Sequence, residues 1–331
     1  MDILFIIQQS LSSAIGVNTI IFALAAIGLN MHFGYTGLLN FGQAGFLAVG
    51  AYTTAVLVVS YEFSLWTALA CSILTSTVFA LILGLPTLRL RADYLAIVTI
   101  AAAEIVRQIA RSATFNETLG GSDGITGKFG KEFFDLNPFT SGVETPILRF
   151  TPNDLWVVIT GWLLVAAVLG IMWLLVNSPW GRVMKAIRED EEAVRSVGKN
   201  VYLYKMQSLI IGGIIGSLGG AVYALSRQSV QPDNYGTALT FFAYTVLILG
   251  GAARVFSPVI GSIIFWFLLV FIEQSLRQAV SADLVPDWLI GPNQVGQVRF
   301  MLVGLGLMLL MIFRPQGIFG DRKELALDAR A

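Results

Sequence analysis

The sequence predicts an all-α polytopic membrane protein, a helical bundle of about eight to ten transmembrane helices with broken or re-entrant pieces among them. Three observations predict it. Of 331 residues, 56% are hydrophobic and 13% charged, with a mean hydropathy of +0.74, whereas a soluble domain carries about 25% charged residues. Several apolar runs approach the ~20 residues that a helix needs to cross a bilayer. Gly34, Gly37, Gly42 and Gly45 crowd into one of those runs, and non-helical backbone at membrane depth survives only inside protein or beside a wet cavity. A soluble enzyme is excluded. Lys plus Arg equals Asp plus Glu at 21 each, so there is no basic excess of the kind that binds nucleic acid.

Bounded by charges or turn residues, the apolar stretches place spans at 14–31, 37–59, 65–85, 94–111, 155–176, 206–225, 239–252, 258–280 and 299–313. Met1 and Asp2 precede the first with no Lys or Arg, so the positive start of a cleavable signal is missing and that segment is expected to stay. The glycines interrupting the second suit either a transport path or tight helix packing through small residues. The stretches 239–252 and 299–313 are short for a bilayer. The fourth carries Glu104, Arg107 and Arg111 at i, i+3 and i+7, with Asp93 near the same face. Such a face cannot look at lipid, where each charge costs at least ~2.5 kcal/mol unless paired or wet. Pairing of Glu104 with Arg107 lowers that cost, either as a structural ion pair or as a polar patch along a translocation path. Glu273 and Arg277 make a local i, i+4 pair on the eighth span.

Basic residues set the orientation. With the N-terminus outside and nine spans, the cytoplasm receives Arg89, Arg91, Arg182, Lys185, Arg188, Arg195, Lys199, Lys205, Arg254, Arg314, Arg322, Lys323 and Arg330. Only Arg107, Arg111, Lys128, Lys131, Arg149, Arg227, Arg277 and Arg299 remain outside or within helices. The chain 1–331 then forms a single transmembrane domain with an extracytoplasmic loop at 112–154, a cytoplasmic segment at 177–205 and a cytoplasmic tail at 314–331. In the outer loop, Gly120-Gly121-Ser122-Asp123-Gly124 suits a backbone nest, a docking turn for a binding protein or a plain flexible loop.

The segment 177–205 is punctuated as a helix. Ser178 can cap it, Pro179 suits the first turn and Gly198 is a stop. Lys185/Glu189, Arg188/Glu192 and Glu191/Arg195 are spaced for side-chain pairing. Val183, Ile187, Val194 and Val197 fall near one stripe, interrupted by Asp190, so this helix has an apolar face that needs a partner.

Glu192-Ala193-Val194-Arg195-Ser196-Val197-Gly198 resembles the Glu-Ala-Ala loop that permease subunits of ABC importers dock into an ATPase. Four further segments agree in order: Gly34–Ala44 with Gly50-Ala51-Tyr52, Leu90–Ile97 leading to Glu104-Ile105-Val106-Arg107, Gly120–Ile125, and Arg314–Gly320. Together they resemble the LivM type of branched-chain amino acid ABC permease. Gln43 stands where many relatives have His, and Val194 where the loop's name implies Ala.

The resemblance implies an ABC importer permease fold and a chain that is not itself an enzyme. It implies coupling to the ATPase through Gly181, Arg182, Arg188, Glu189, Asp190, Glu192, Ala193 and Gly198, and a translocation path touching Gly37, Asn40, Gly42, Gln43, Glu104 and Arg107. Implied partners are a second, LivH-like permease, two ABC ATPase subunits, an extracytoplasmic binding protein and an amino-acid substrate, in the lipid of a bacterial inner membrane. A permease for urea or short amides looks very similar, and an ion-coupled secondary transporter or channel is the alternative from another class.

The motifs that are missing agree. A phosphate-binding loop needs Gly-x-x-x-x-Gly-Lys-[Ser/Thr], but ahead of Gly127-Lys128 stands Ser122, and Phe129 follows. One cysteine, Cys71, and one histidine, His32, leave no ligand set for a metal or other cofactor. His32 reads as a satisfied interfacial residue. No nucleophile elbow or nucleophile/base pair supports a hydrolase.

Overall fold

The computed structural model describes residues 3–90, 92–127, 129–145, 148–282, 291 and 294–320. Arg91, Lys128, Arg322, Lys323 and Arg330, with the tail after Gly320, lie outside the described residues. The helices are α1 (Ile3–Ala14), α2 (Val17–Leu29), which continues as a π-helix over Asn30–Tyr35, α3 (Gln43–Val59), α4 (Leu65–Thr87) and α5 (Ala92–Arg111). Then follow α6 (Asn116–Leu119), α7 (Lys131–Asp135), α8 (Pro152–Asn177), α9 (Pro179–Glu189), α10 (Glu191–Ser196), α11 (Val201–Arg227), α12 (Thr237–Gly250), α13 (Ser257–Ser281) and α14 (Val295–Phe313). Short antiparallel pairs join β1 (Ile125–Thr126) to β4 (Ser229–Val230) and β2 (Val143–Glu144) to β3 (Arg149–Phe150).

Among the described residues six segments are long and apolar enough to cross a membrane: Val17–Tyr35, Leu65–Thr87, Pro152–Asn177, Val201–Arg227, Ser257–Ser281 and Val295–Phe313. Ile3–Ala14, Gln43–Val59 and Thr237–Gly250 are apolar but shorter. Two of the expected spans change shape. The first, expected over 14–31, starts at Val17 and runs on as a π-helix to Tyr35, and a separate, unexpected helix α1 precedes it across extended Gly16, where the Thr19 hydroxyl donates to Ser13 O at 2.7 Å. The second, expected over 37–59, begins only at Gln43. Residues 37–42 run outside any helix, with Gly37 at φ +69, a conformation glycine adopts without the Cβ penalty.

The two long connections lie at opposite ends of the bundle. At one end the Leu65 amide, which opens α4, donates to Glu132 Oε2 at 2.7 Å, and β1 of the 112–151 connection pairs with β4 just past α11. At the other end of α4, Leu85 O accepts from the Tyr202 hydroxyl at the start of α11. In the 112–154 loop, Gly120, Gly121 and Gly124 all have positive φ, and a Cβ on Gly124 would meet Val230 O at 2.2 Å. That turn is therefore packed on β4 rather than loose.

α3 is central, enclosed by α2, α4, α5, α11 and α12. A Cβ on Gly50 would lie 2.2 Å from Ser217 O, and one on Gly220 1.9 Å from Leu47 O, so α3 and α11 pack backbone to backbone through small residues. α14 contrasts with this core, exposing Met301, Ile312 and Phe313 as a surface suited to hydrocarbon.

Candidate coupling segment and buried polar junction

Ser178 starts α9 by accepting from Gly181 N at 3.3 Å while its hydroxyl donates to Leu175 O at 2.6 Å. Gly181 permits the sharp exit from α8, since a Cβ there would stand 2.3 Å from Val176 O. The helix expected to run on to Gly198 is two helices. Asp190 adopts extended backbone (φ −153, ψ 102) and accepts from Ala193 N at 2.9 Å, becoming the N-cap of α10. Its side chain competes for the backbone and wins.

Arg195 pairs with Glu191 at 2.9 Å and Glu192 at 3.1 Å, and Lys205 closes on Glu191. Of the expected stripe, Ile187 and Val194 bury against Val201, with Val183 alongside. Val197 does not join it and is 74% exposed, because the chain turns at Gly198 (φ +80), whose amide donates to Arg195 O at 3.0 Å. A Cβ on Gly198 would meet nothing within 4 Å, so the turn itself is what favours glycine there. Arg182, Glu189, Glu192 and Ala193 are exposed on the segment's outer side. A cleft of ~900 Å³ lies between Glu189–Glu192 and the Leu88–Leu90 turn, floored by Tyr202 and Lys205.

The 30–43 region is a buried polar junction. His32, Asn40 and Gln43 have no exposed surface. Asn40 Nδ2 lies 3.0 Å from His32 Nδ1 and donates to Gln43 Oε1 at 3.4 Å, while Asn40 Oδ1 accepts from Gly42 N at 2.9 Å. His32 Nε2 lies 3.2 Å from Leu209 O, and Gln43 Nε2 donates to Gly212 O at 3.3 Å. The Tyr244 hydroxyl donates to Asn40 O at 3.0 Å. Asn40, Gly42 and Gln43, expected on a translocation path, are enclosed inside the chain, and His32, expected at an interface, is at its centre. Gly37 alone of the 37–43 set is exposed, lying beneath Arg188.

Glu104 and Arg107 do pair, at 2.6 and 2.9 Å, and Arg107 Nη1 also reaches Asp233 Oδ1 at 2.9 Å. Gln108 donates to Glu104 Oε1 at 2.7 Å, and Arg111 approaches Asp233 at 3.4 Å. Asp233 sits on the 3₁₀ turn Pro232–Tyr235, so the cluster ties α5 to the connection before α12. Sequence spacing could not find Asp233. Glu273 pairs with Arg277 at 2.8 Å as expected and also with Arg299, which fastens α14 to α13. No group of three or more potential metal ligands occurs among the described residues.

Residues 12–314 match the family described as branched-chain amino acid transport system, permease component. The high-affinity branched-chain amino acid transport system permease protein LivM of Salmonella typhimurium is 32% identical over 315 residues, covering 92% of this chain and 69% of that protein. Its Escherichia coli K12 namesake is 33% identical over 311 residues, covering 91% and 68%. A probable LivM of Methanocaldococcus jannaschii is 25% identical over 346 residues, covering 91% of each chain. With the family matched over nearly the whole membrane-spanning bundle, the chain belongs to the branched-chain amino acid transport permeases, as a permease subunit of the LivM type.

Proposed function

We propose that this chain is one of two membrane subunits of an ATP-driven importer. It passes branched-chain, or other neutral hydrophobic, amino acids from an extracytoplasmic binding protein to the cytoplasm of a bacterium, across the inner membrane. A LivH-like chain is the other membrane subunit, and two separate ATPase subunits hydrolyse ATP. The N-terminus lies outside, and the 177–205 end of the bundle and the C-terminus lie inside, as the basic residues favour.

The observation that carries this reading is the α9–α10 unit. It stands at one end of the bundle, anchored by Ile187 and Val194, and presents Glu189, Glu192, Ala193 and the exposed Val197 outward. An exposed valine among charges on a short, rigidly capped helix suits a protein partner better than water. The partly exposed Glu104–Arg107 face of α5 is the part of this chain suited to border the path. Asn40, Gly42 and Gln43 fix the break in the second span instead of lining the path.

The test is uptake of labelled leucine into proteoliposomes by this chain alone, and by this chain with the second permease, the ATPases and the binding protein. Uptake only by the full set, and only with ATP, is expected. Gradient-driven uptake by the chain alone overturns the reading.

A further inference from the structure

The unit read above as the ATPase contact is fastened to the interior by one of its own side chains. Arg188 lies on α9, and its Nη1 donates to the Gly34 carbonyl at 2.6 Å, a contact across 154 residues of sequence. Gly34 belongs to the π-helix that ends at Tyr35, and carbonyls in a last helical turn have no amide of their own helix left to accept from. Arg188 also covers Gly37, where a Cβ would lie 3.5 Å from Arg188 Cγ. One turn earlier, Lys185 holds its ammonium 5.8 Å above the Tyr35 ring. Residues 185 and 188 share one helix face, and both grip the point where the broken span stops being helical.

From that point the contacts lead inward. Thr36 Oγ1 lies 2.7 Å from Ser208 Oγ on α11 and donates to Met31 O and His32 O, both at 2.8 Å. His32 then meets Asn40, and Asn40 meets Gln43. α10 reaches the same junction by a second route. Glu191 pairs with Lys205 on α11, and α11 supplies the Leu209 and Gly212 carbonyls that face His32 and Gln43.

We propose that Arg188, although exposed, is a positioning residue for transport: its guanidinium is spent on the membrane domain rather than on the ATPase, and clamps the Gly34–Gly37 end of the broken span to α9, so that movement of α9 moves the break. The inference rests on the reading of α9–α10 as the coupling unit. It divides that unit by function, with Glu192 on the outer, docking side and Arg188 on the inner, transmitting side. A guanidinium suits the inner role because its rigid planar fork donates to a fixed carbonyl while its stem packs on the glycine below.

The test uses the complete importer in proteoliposomes, reading subunit co-purification, binding-protein-stimulated ATP hydrolysis and uptake together. Arg188→Met keeps the stem and removes the donor. It is expected to leave assembly and hydrolysis within about twofold of wild type while uptake falls about tenfold or more, which uncouples the two. Glu192→Lys is expected to lose stimulated hydrolysis and uptake together. Arg188→Lys, which restores a donor in poorer geometry, should recover part of the uptake and raise ATP spent per substrate by about threefold. Should Arg188→Met fail to assemble, that ratio in Arg188→Lys decides instead. The proposal is overturned if Arg188→Met takes up substrate within about twofold of wild type, if it loses hydrolysis in step with uptake as Glu192→Lys does, or if the Arg188→Lys ratio is unchanged. A wild-type importer without ATP-driven uptake overturns the underlying importer reading, and this proposal with it.

Discussion

The buried junction around Asn40 and the ion cluster around Arg107 are both polar groups set among apolar helices, but they are accommodated in opposite ways. At the junction all of the groups are neutral side chains or backbone, exposure is nil, and Asn40, His32 and Gln43 spend their hydrogen bonds on one another and on the carbonyls of α11. On α5 the groups are charged and keep an open side. Arg107 is 17% exposed, Glu104 38% and Asp233 65%. Neutral groups can be dry if fully partnered, whereas ions lose too much on complete desolvation. On the reading proposed here the junction serves as scaffolding for the break in the second span, while the α5 face keeps an open side.

Substitutions should separate the two regions sharply. Asn40→Leu is expected to have the largest effect, because it strands His32 Nδ1, the Gly42 amide and Gln43 without water, at about 1–3 kcal/mol for each unsatisfied group. The thermal midpoint of the purified subunit should fall steeply, and an unchanged midpoint would show that the junction is hydrated. Gly42→Ala comes next. Its Cβ would meet Thr99 O at 2.4 Å, so about 1–3 kcal/mol of overpacking should appear in the same melting assay. Arg107→Ala should cost about 1 kcal/mol or less, since both of its partners, Glu104 and Asp233, are more than a third exposed. It should nonetheless lower uptake if this face borders the path, and equal losses of stability in Arg107→Ala and Asn40→Leu would erase the distinction. Smallest is the salt effect. Raising ionic strength should shrink the Arg107→Ala difference through screening and leave that of Asn40→Leu in place, as paired melts at low and high salt would show.

Local chemistry was legible in the chain. Ser178, Pro179 and Gly198 mark their helix ends because caps and left-handed turns act on immediate neighbours, and the i, i+3 pairing of Glu104 with Arg107 follows from helical pitch alone. Asp190 was ambiguous, because the same residue can interrupt a stripe within one helix or cap a new one, and the fold selects the cap. Contacts without a local signature stayed hidden. Arg188 finds Gly34 from 154 residues away and Arg107 finds Asp233 from 126. His32, alone in the sequence, gave no hint that Asn40 on one side and α11 on the other would enclose it. In the sequence the glycines of the second span suit either a path or packing, and the fold divides them. Gly34, Gly42 and Gly45 permit close approach, while Gly37 permits a turn.

The proposed role of α9–α10 requires that it face the cytoplasm and receive the ATPase. It is tested most directly by a single cysteine at Ser196, an exposed position at the end of α10, in a Cys71→Ser background that removes the natural thiol. Membrane vesicles of known sidedness are treated with an impermeant maleimide, with and without the ATPase subunits bound. Labelling is expected only from the cytoplasmic face, with protection when the ATPase docks. Labelling from the opposite face, or equal labelling with and without bound ATPase, would contradict it.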